Sequence, residues 1–367
     1  MIHLCPKSHT KGRMKSMNTI KQRPGTPAPA VRVQGLDILK ALCAFAVVTI
    51  HQKFPGRIGI CLDALARIAV PIFFMITGYF YTDVLRQKKE RTQLRKLLLL
   101  WAASTLLFLV WDVLGRLLLK GTGVKDFLLD IFSAESAYRF LVFNHPPFEV
   151  HLWYLSAVVY VLVLVFLVRR LFPRRFEVLL FAVSPCLLLL GLLLGAYAVP
   201  VFHRDFLVFV SRNFLLLGLP CFTTGYFLRQ RGGSSHGPGF WLAPILLFSL
   251  TTILERWALG RLGWFSTGDY YISTVPLSIF VFRLFTDPFW NGKLPVLSYW
   301  GRELSTDVYI LHPAIVTVFS TALKRFADST VYLILCPFLV YGFSLLAAFL
   351  LVRCKVRRRV NAEGGRQ

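Results

Sequence analysis

Along this chain, apolar runs of membrane-spanning length alternate with short polar stretches. A helix needs roughly 20 mostly apolar residues to cross a bilayer. Such runs fall near 35–52, 62–82, 97–118, 150–168, 177–196, 205–228, 240–258, 270–287, 304–323 and 331–352, which predicts ten spans. The expected fold class is all-α, a polytopic membrane helical bundle. Residues 127–143 mix polar and apolar positions and are expected to form part of a long loop. Residues 1–33 are polar and basic, with Pro24, Pro27 and Pro29 close together. They lack the apolar core of a signal peptide and predict a disordered basic cytoplasmic tail, in which Met14 and Met17 are alternative starts. The membrane domain is expected over 34–353, with a second basic cytoplasmic tail over 354–367.

Composition agrees with this pattern. The 367 residues are 56% hydrophobic and 15% aromatic, too apolar for one soluble domain. A formal net charge of +24 raises nucleic acid as a partner, but the placement of the cations argues against it. They cluster in short loops: Arg86, Lys88, Lys89 and Arg91, then Arg169, Arg170, Arg174 and Arg175, then Arg229 and Arg231, then Arg353 and Lys355. Clusters between apolar runs act as cytoplasmic anchors and favour anionic headgroups. The alternate loops hold fewer cations and carry Asp126, Asp130 and Glu135. This bias predicts an even number of spans with both ends inside. The seven cysteines are scattered without a CxxC and are read as small apolar fillers. With no metal-ligand spacing, no nucleotide-binding glycine pattern and no GxSxG, the chain is expected to hold no metal and no tightly bound cofactor.

Several charges fall inside the apolar runs, where their cost makes function the first question. Lys40 and His51 are eleven residues apart in the first span, which places them on one helix face and roughly 16 Å apart along the axis. The same spacing also fits a Lys40–Asp37 pair at the inner headgroups and a capping role for His51. Arg67 opens the second span at the depth of His51, with Asp63 four residues earlier as its natural partner. His151 opens the fourth span beside Glu149, and Trp153 and Tyr154 behind it read as interfacial aromatics. Arg212 and Asn213 fall inside the sixth span, where a guanidinium must face protein or water. Glu255 and Arg256 read as a local pair near the end of the seventh. His312 lies well inside the ninth, just before Pro313, and a lone His there is most simply a structural group. Histidine suits proton acceptance near neutral pH, and nearby cations suit a developing oxyanion. Together these are acyl-transfer equipment. The same residues also fit a transporter or flippase for an amino acid or glycan precursor, or a sensor that has lost activity.

The strings GLDILKALCAFAVVTIH and RIAVPIFFMITGYFY resemble the integral-membrane acyltransferase 3 family. HLWYL, RNFLLLGLPCFTTGYFL and LSTDVYILHP follow in the same order along nearly the whole chain. This variant also resembles the membrane part of glycopeptide-resistance serine racemases, although no stretch of it resembles the soluble racemase domain. The resemblance implies an O-acyltransferase of a bacterial plasma membrane. Its donor would be a cytoplasmic acyl-CoA, usually acetyl-CoA, and its acceptor a hydroxyl of a cell-envelope glycan or lipid-linked sugar. It implies catalytic His51 and Arg67, donor binding by Lys40 and Arg212, and acceptor binding by His151 and His312. Lys40 stands where the family carries Arg, which keeps the charge and loses the bidentate fork. The family's acidic residue after the fourth-span Trp is replaced by Ser156-Ala157-Val158, and Glu149 is not expected to substitute for it.

Overall fold

The computed structural model describes residues 32–120, 123–232, 236–264 and 270–364, with 119–120 and 356–364 described by backbone alone. The N-terminal tail expected over 1–33, with its alternative starts, lies outside these residues apart from Arg32 and Val33, as do 365–367 of the C-terminal tail. Among the described residues every regular element is a helix. In chain order they are α1 Gln34–His51, α2 Gly56–Ala66, α3 Ala69–Arg86, α4 Glu90–Gly115, α5 Val124–Ile131, α6 Ala134–Phe143, α7 Trp153–Leu171 and α8 Phe176–Leu194. There follow α9 Ala198–Phe202, α10 Val208–Ser211, α11 Leu219–Gln230, α12 Pro238–Arg261, α13 Thr274–Phe285, α14 Pro295–Tyr299, α15 Ser305–Ala322 and α16 Thr330–Gly364.

Seven helical stretches among the described residues are long and apolar enough to cross a membrane: 34–51, 56–86, 90–118, 150–171, 176–194, 238–261 and 330–355. Three of the ten expected spans are not among them. The 205–228 run is not one helix, because it breaks between α10 and α11. The 270–287 run is helical only over the 12 residues of α13. The third corresponds to α15, an 18-residue helix entered through α14 and a π-turn at Trp300–Leu304. The loop expected over 127–143 instead holds α5 and α6, whose apolar residues recur on one face of each short helix.

The centre is built from α1, α3, α7 and α11, and close backbone approach holds it together. A Cβ added at Gly78 of α3 would lie 1.9 Å from the Phe222 carbonyl oxygen, and one at Gly225 of α11 would lie 1.9 Å from that of Met75. The two glycines thus face each other's helix and bring the backbones together. In lipid, such small-residue contacts replace the hydrophobic effect as the source of helix association. Gly301 does the same against α1, where a Cβ would meet the Asp37 carbonyl oxygen at 1.7 Å. By contrast α4 and α12 turn most of their apolar surface outward, including Leu99, Leu106, Leu246 and Leu250.

Charged residues at the loop ends gather at one end of this bundle. Arg229 at the end of α11 reaches Asp83 near the end of α3 at 3.4 Å, and Arg169 at the end of α7 reaches Glu90 at the start of α4 at 2.7 Å. Lys355 of α16 meets Asp307 of α15 at 3.3 Å. Lys40 belongs to the same end, and His51 to the other, because α1 is continuous between them.

Candidate functional site

Three interruptions in the helices build the His51 end. Between α2 and α3, Pro71 withholds the N–H that would bond the Arg67 carbonyl four residues back, so the helix yields at Arg67. Arg67 donates to both carboxylate oxygens of Asp63 at 3.1 Å, the pairing its i,i+4 spacing predicts, and Lys53 approaches the same carboxylate at 3.5 Å. Between α10 and α11, Arg212 lies in the break rather than inside a span. Asn213 caps the turn that leads into α11, its side-chain oxygen accepting from the Leu215 and Leu216 amides at 2.9 Å. Arg212 rests 5.2 Å from the Trp153 ring centroid, a cation–π contact. In α15, Pro313 frees the Tyr309 carbonyl in the same way. His312 uses it: its Nδ1–H donates to Tyr309 O at 2.8 Å and also reaches Val308 O at 3.2 Å. Both acceptors are carbonyls, so Nδ1 carries the proton and Nε2 the lone pair.

His151 is fixed by a second device. Its Nδ1 donates to Glu149 Oε2 at 3.0 Å, and Glu149 sits in the left-handed region at φ 49° to make the bond. Glu149, discounted in the sequence, is thus the partner that orients His151. The Nε2 atoms of His151 and His312 are buried and have no hydrogen-bond partner among the described residues. Both rings therefore bring an unbonded Nε2 to the same neighbourhood. The His51 and His312 ring centroids are 5.0 Å apart, and those of His151 and His312 5.9 Å apart. His51 is exposed at the end of α1, whereas His151 and His312 are buried.

His51, His151, Arg67 and Arg212 line one cavity of about 70 Å³, the histidine chamber, with Tyr154 and Tyr309 in its wall. Four of the six site residues expected from the sequence share this space, and His312 packs directly behind it. Lys40 does not. It lines a second cavity of about 290 Å³, the lysine chamber, with Arg302, Gln93 and Thr77. Lys40 pairs with the buried Asp37 at 3.3 Å, and Asp37 also accepts from Arg32 at 3.1 Å. The residues that could hold an anionic or polar donor thus divide between two chambers. Among the described residues, no group of three or more His, Cys, Asp or Glu side chains is arranged to hold a metal ion.

Other residues that shape the site were missed in the sequence. Asn144 is fully buried at φ 49°, a left-handed position that asparagine tolerates. Its amide donates to Trp153 O at 3.0 Å, and its side-chain oxygen accepts from the Phe214 amide at 2.7 Å. One side chain thus ties the start of α7, beside His151, to the break that carries Arg212. Ser156 donates to Asn144 O at 3.1 Å and so helps hold that knot. Trp153 and Tyr154 are part of the core rather than interfacial aromatics. Glu255 makes tertiary bonds, accepting from the Ile272 and Ser273 amides at 2.8 and 3.0 Å and from the Tyr197 hydroxyl. It pins the loop that brings Tyr270 to the histidine chamber. Its long separation from these partners in sequence hid that role.

Comparison with known proteins then places this geometry. The acyltransferase domain family matches residues 33–353. A protein named amino-acid racemase, from Enterococcus faecalis, is 26% identical over 363 residues, covering 90% of this chain and 48% of that protein. The chain thus spans about half the length of this curated relative. No solved structure gives a significant match.

Proposed function

The chain belongs to the acyltransferase domain family, and from that premise we propose that it is an O-acyltransferase of a bacterial plasma membrane. It would move an acyl group, acetyl in the simplest case, from acyl-CoA to a hydroxyl of a cell-envelope glycan or lipid-linked sugar. The observation that carries this reading is the histidine chamber, where His51 and His151 share one space with two guanidinium groups.

In this proposal His51, at the exposed mouth, removes the proton from the acceptor hydroxyl. The hydroxyl oxygen attacks the thioester carbonyl, a C–O bond forms, and the carbonyl electrons move onto oxygen. Arg67 and Arg212 stabilise that oxyanion. The C–S bond then breaks, and the thiolate of CoA takes the proton from His51. His151, oriented by Glu149, and His312 hold the acceptor through their Nε2 atoms. Lys40 holds the phosphate or pantetheine end of the donor, with Arg302 nearby.

The same reading sets the topology. Arg32, Arg169, Arg229 and Lys355 gather at the Lys40 end of the bundle, and cations favour the cytoplasmic side. With α11 and its preceding π-turn, α13 and α15 crossing as shorter or interrupted helices, ten spans with both termini cytoplasmic result. Interrupted helices are tolerated at membrane depth where protein or a cavity surrounds them. The membrane acyltransferase domain would then be 34–353, flanked by basic cytoplasmic tails.

The test uses purified protein in liposomes with acyl-labelled acetyl-CoA inside and a glycan acceptor outside. Label in the glycan with CoA released inside is the expected result. Acceptor flux without CoA release would point to a transporter. A His51→Ala protein that inserts correctly and still acetylates would sink the assignment.

A further inference from the structure

The two chambers share one wall. Tyr154 and Tyr309 are the described residues that line both. Their rings meet edge to face, with centroids 5.4 Å apart and planes at 74°. Tyr154 is backed by Phe74 at 4.8 Å and Phe73 at 5.9 Å. Tyr309 is anchored differently: its hydroxyl donates to the His151 carbonyl, so its ring is tied to the residue that faces the histidine chamber. The wall is thus a single pair of rings, with Tyr309 tied to the site itself. On one side lies the larger cavity, with Lys40 and Arg302 at its rim. On the other lies the smaller one, with space for roughly five water-sized groups.

We propose that the Tyr154–Tyr309 pair is the throat of a single donor site and sets the length of acyl chain the protein accepts. This rests on the acyl-CoA reading above. The pantetheine arm of the donor occupies the lysine chamber, and the thioester carbonyl passes between the two rings to meet His51, Arg67 and Arg212. The small histidine chamber must then hold the acyl chain and the acceptor hydroxyl together, so it admits a short chain only. The closed pair of rings keeps water in one chamber from the thioester in the other between turnovers.

The experiment compares kcat/KM for acetyl-, butanoyl- and hexanoyl-CoA in the full-length protein and in Tyr154→Leu and Tyr309→Leu. The wild type is expected to prefer acetyl-CoA, and each variant to raise the hexanoyl-to-acetyl ratio at least tenfold. An unchanged ratio in two well-folded variants overturns the proposal. A second measurement needs no variant: a CoA thioether carrying a diazirine on a two-carbon, acetyl-sized group is photolysed on the wild-type protein. Labelling of peptides containing His151–Tyr154 or Tyr309–His312 supports the throat. Labelling confined to the Gln93 and Arg302 regions overturns it. If the wild type transfers no acyl group from any thioester, the enzymatic reading fails and takes this inference with it. If it transfers acetyl while both measurements ignore the tyrosines, only this inference fails.

Discussion

The two chambers differ in how their polar groups are held. In the histidine chamber the functional side chains sit at or beside helix ends and breaks, and several are fixed by a hydrogen bond. His151 is tied to Glu149, His312 to its own preceding turn, and Arg67 to Asp63. In the lysine chamber the cations are long side chains, Lys40 half-buried on α1 and Arg302 exposed on the π-turn before α15. The difference teaches a division of labour. Chemistry needs atoms held within fractions of an ångström, and buried hydrogen bonds supply that. On the acyl-CoA reading, holding the charged end of a flexible donor needs only a positive, adaptable rim, which Lys40 and Arg302 would supply.

The sharpest way to break this comparison is to remove the proposed base. His51→Ala is expected to lower acyl transfer by about 100-fold or more, the usual worth of a positioned base, without altering thermal stability. Rate and melting temperature measured on the same preparation check both parts. Next in size is Asn144→Leu, which leaves the Phe214 amide without its partner, while the Trp153 carbonyl keeps the Ser156 hydroxyl. One buried group left unsatisfied costs about 1–3 kcal/mol. Thermal unfolding in detergent should register that loss, and transfer should fall with it while donor binding in the lysine chamber survives.

Smaller effects sharpen the contrast. Glu149→Gln keeps an acceptor near His151 and removes the charge, so transfer should fall about tenfold, with KM for the acceptor moving more than KM for the donor. Lys40→Arg restores a bidentate fork at the rim and should lower KM for acyl-CoA by about threefold, leaving kcat unchanged. If Lys40→Arg instead changes kcat, the rim is part of the chemistry and the division between chambers fails.

The smallest prediction concerns pH. His145, in the loop between α6 and α7, has its pKa lowered from 6.5 to about 4 by partial burial, with the Arg212 and Arg139 cations adding to the effect. Its neutral form is therefore favoured in the fold. Above pH 6.5 it adds nothing, and as pH falls from 6.5 toward 4 the unfolded chain takes up a proton the folded one resists, so stability declines. His145→Gln should flatten the melting temperature across that window. An unchanged slope would assign the acid sensitivity elsewhere.

Much of the frame was legible in the sequence, and particular elements show why. The first span read as 35–52 is the helix Gln34–His51, because a long apolar run with polar ends has one stable solution in a bilayer. The Asp63–Arg67 pair followed from helical spacing alone. His51, Arg67, His151 and Arg212 were singled out because a charge in an apolar run is costly enough to need a reason, and they do share one cavity. The continuous 205–228 span was the clearest miss. Its apolar content is high enough to cross, but Asn213 ends one helix and caps the next, and hydropathy averages over such a break.

The sequence by itself determined that the chain is helical, that it meets a membrane, and which costly residues it keeps there. Those follow from local chemistry: hydropathy, helical period and the distribution of cations. Only the tertiary structure decided that Lys40 stands in a chamber of its own, that Glu149 orients His151, and that Asn144 knots two distant segments. It also decided that Tyr154, which read as an interfacial aromatic, and Tyr309 form the wall between the two chambers. Each of these depends on side chains that meet only when the chain is folded, most of them from segments tens or hundreds of positions apart. A packed side chain carries no mark in its own sequence of which partner it will meet.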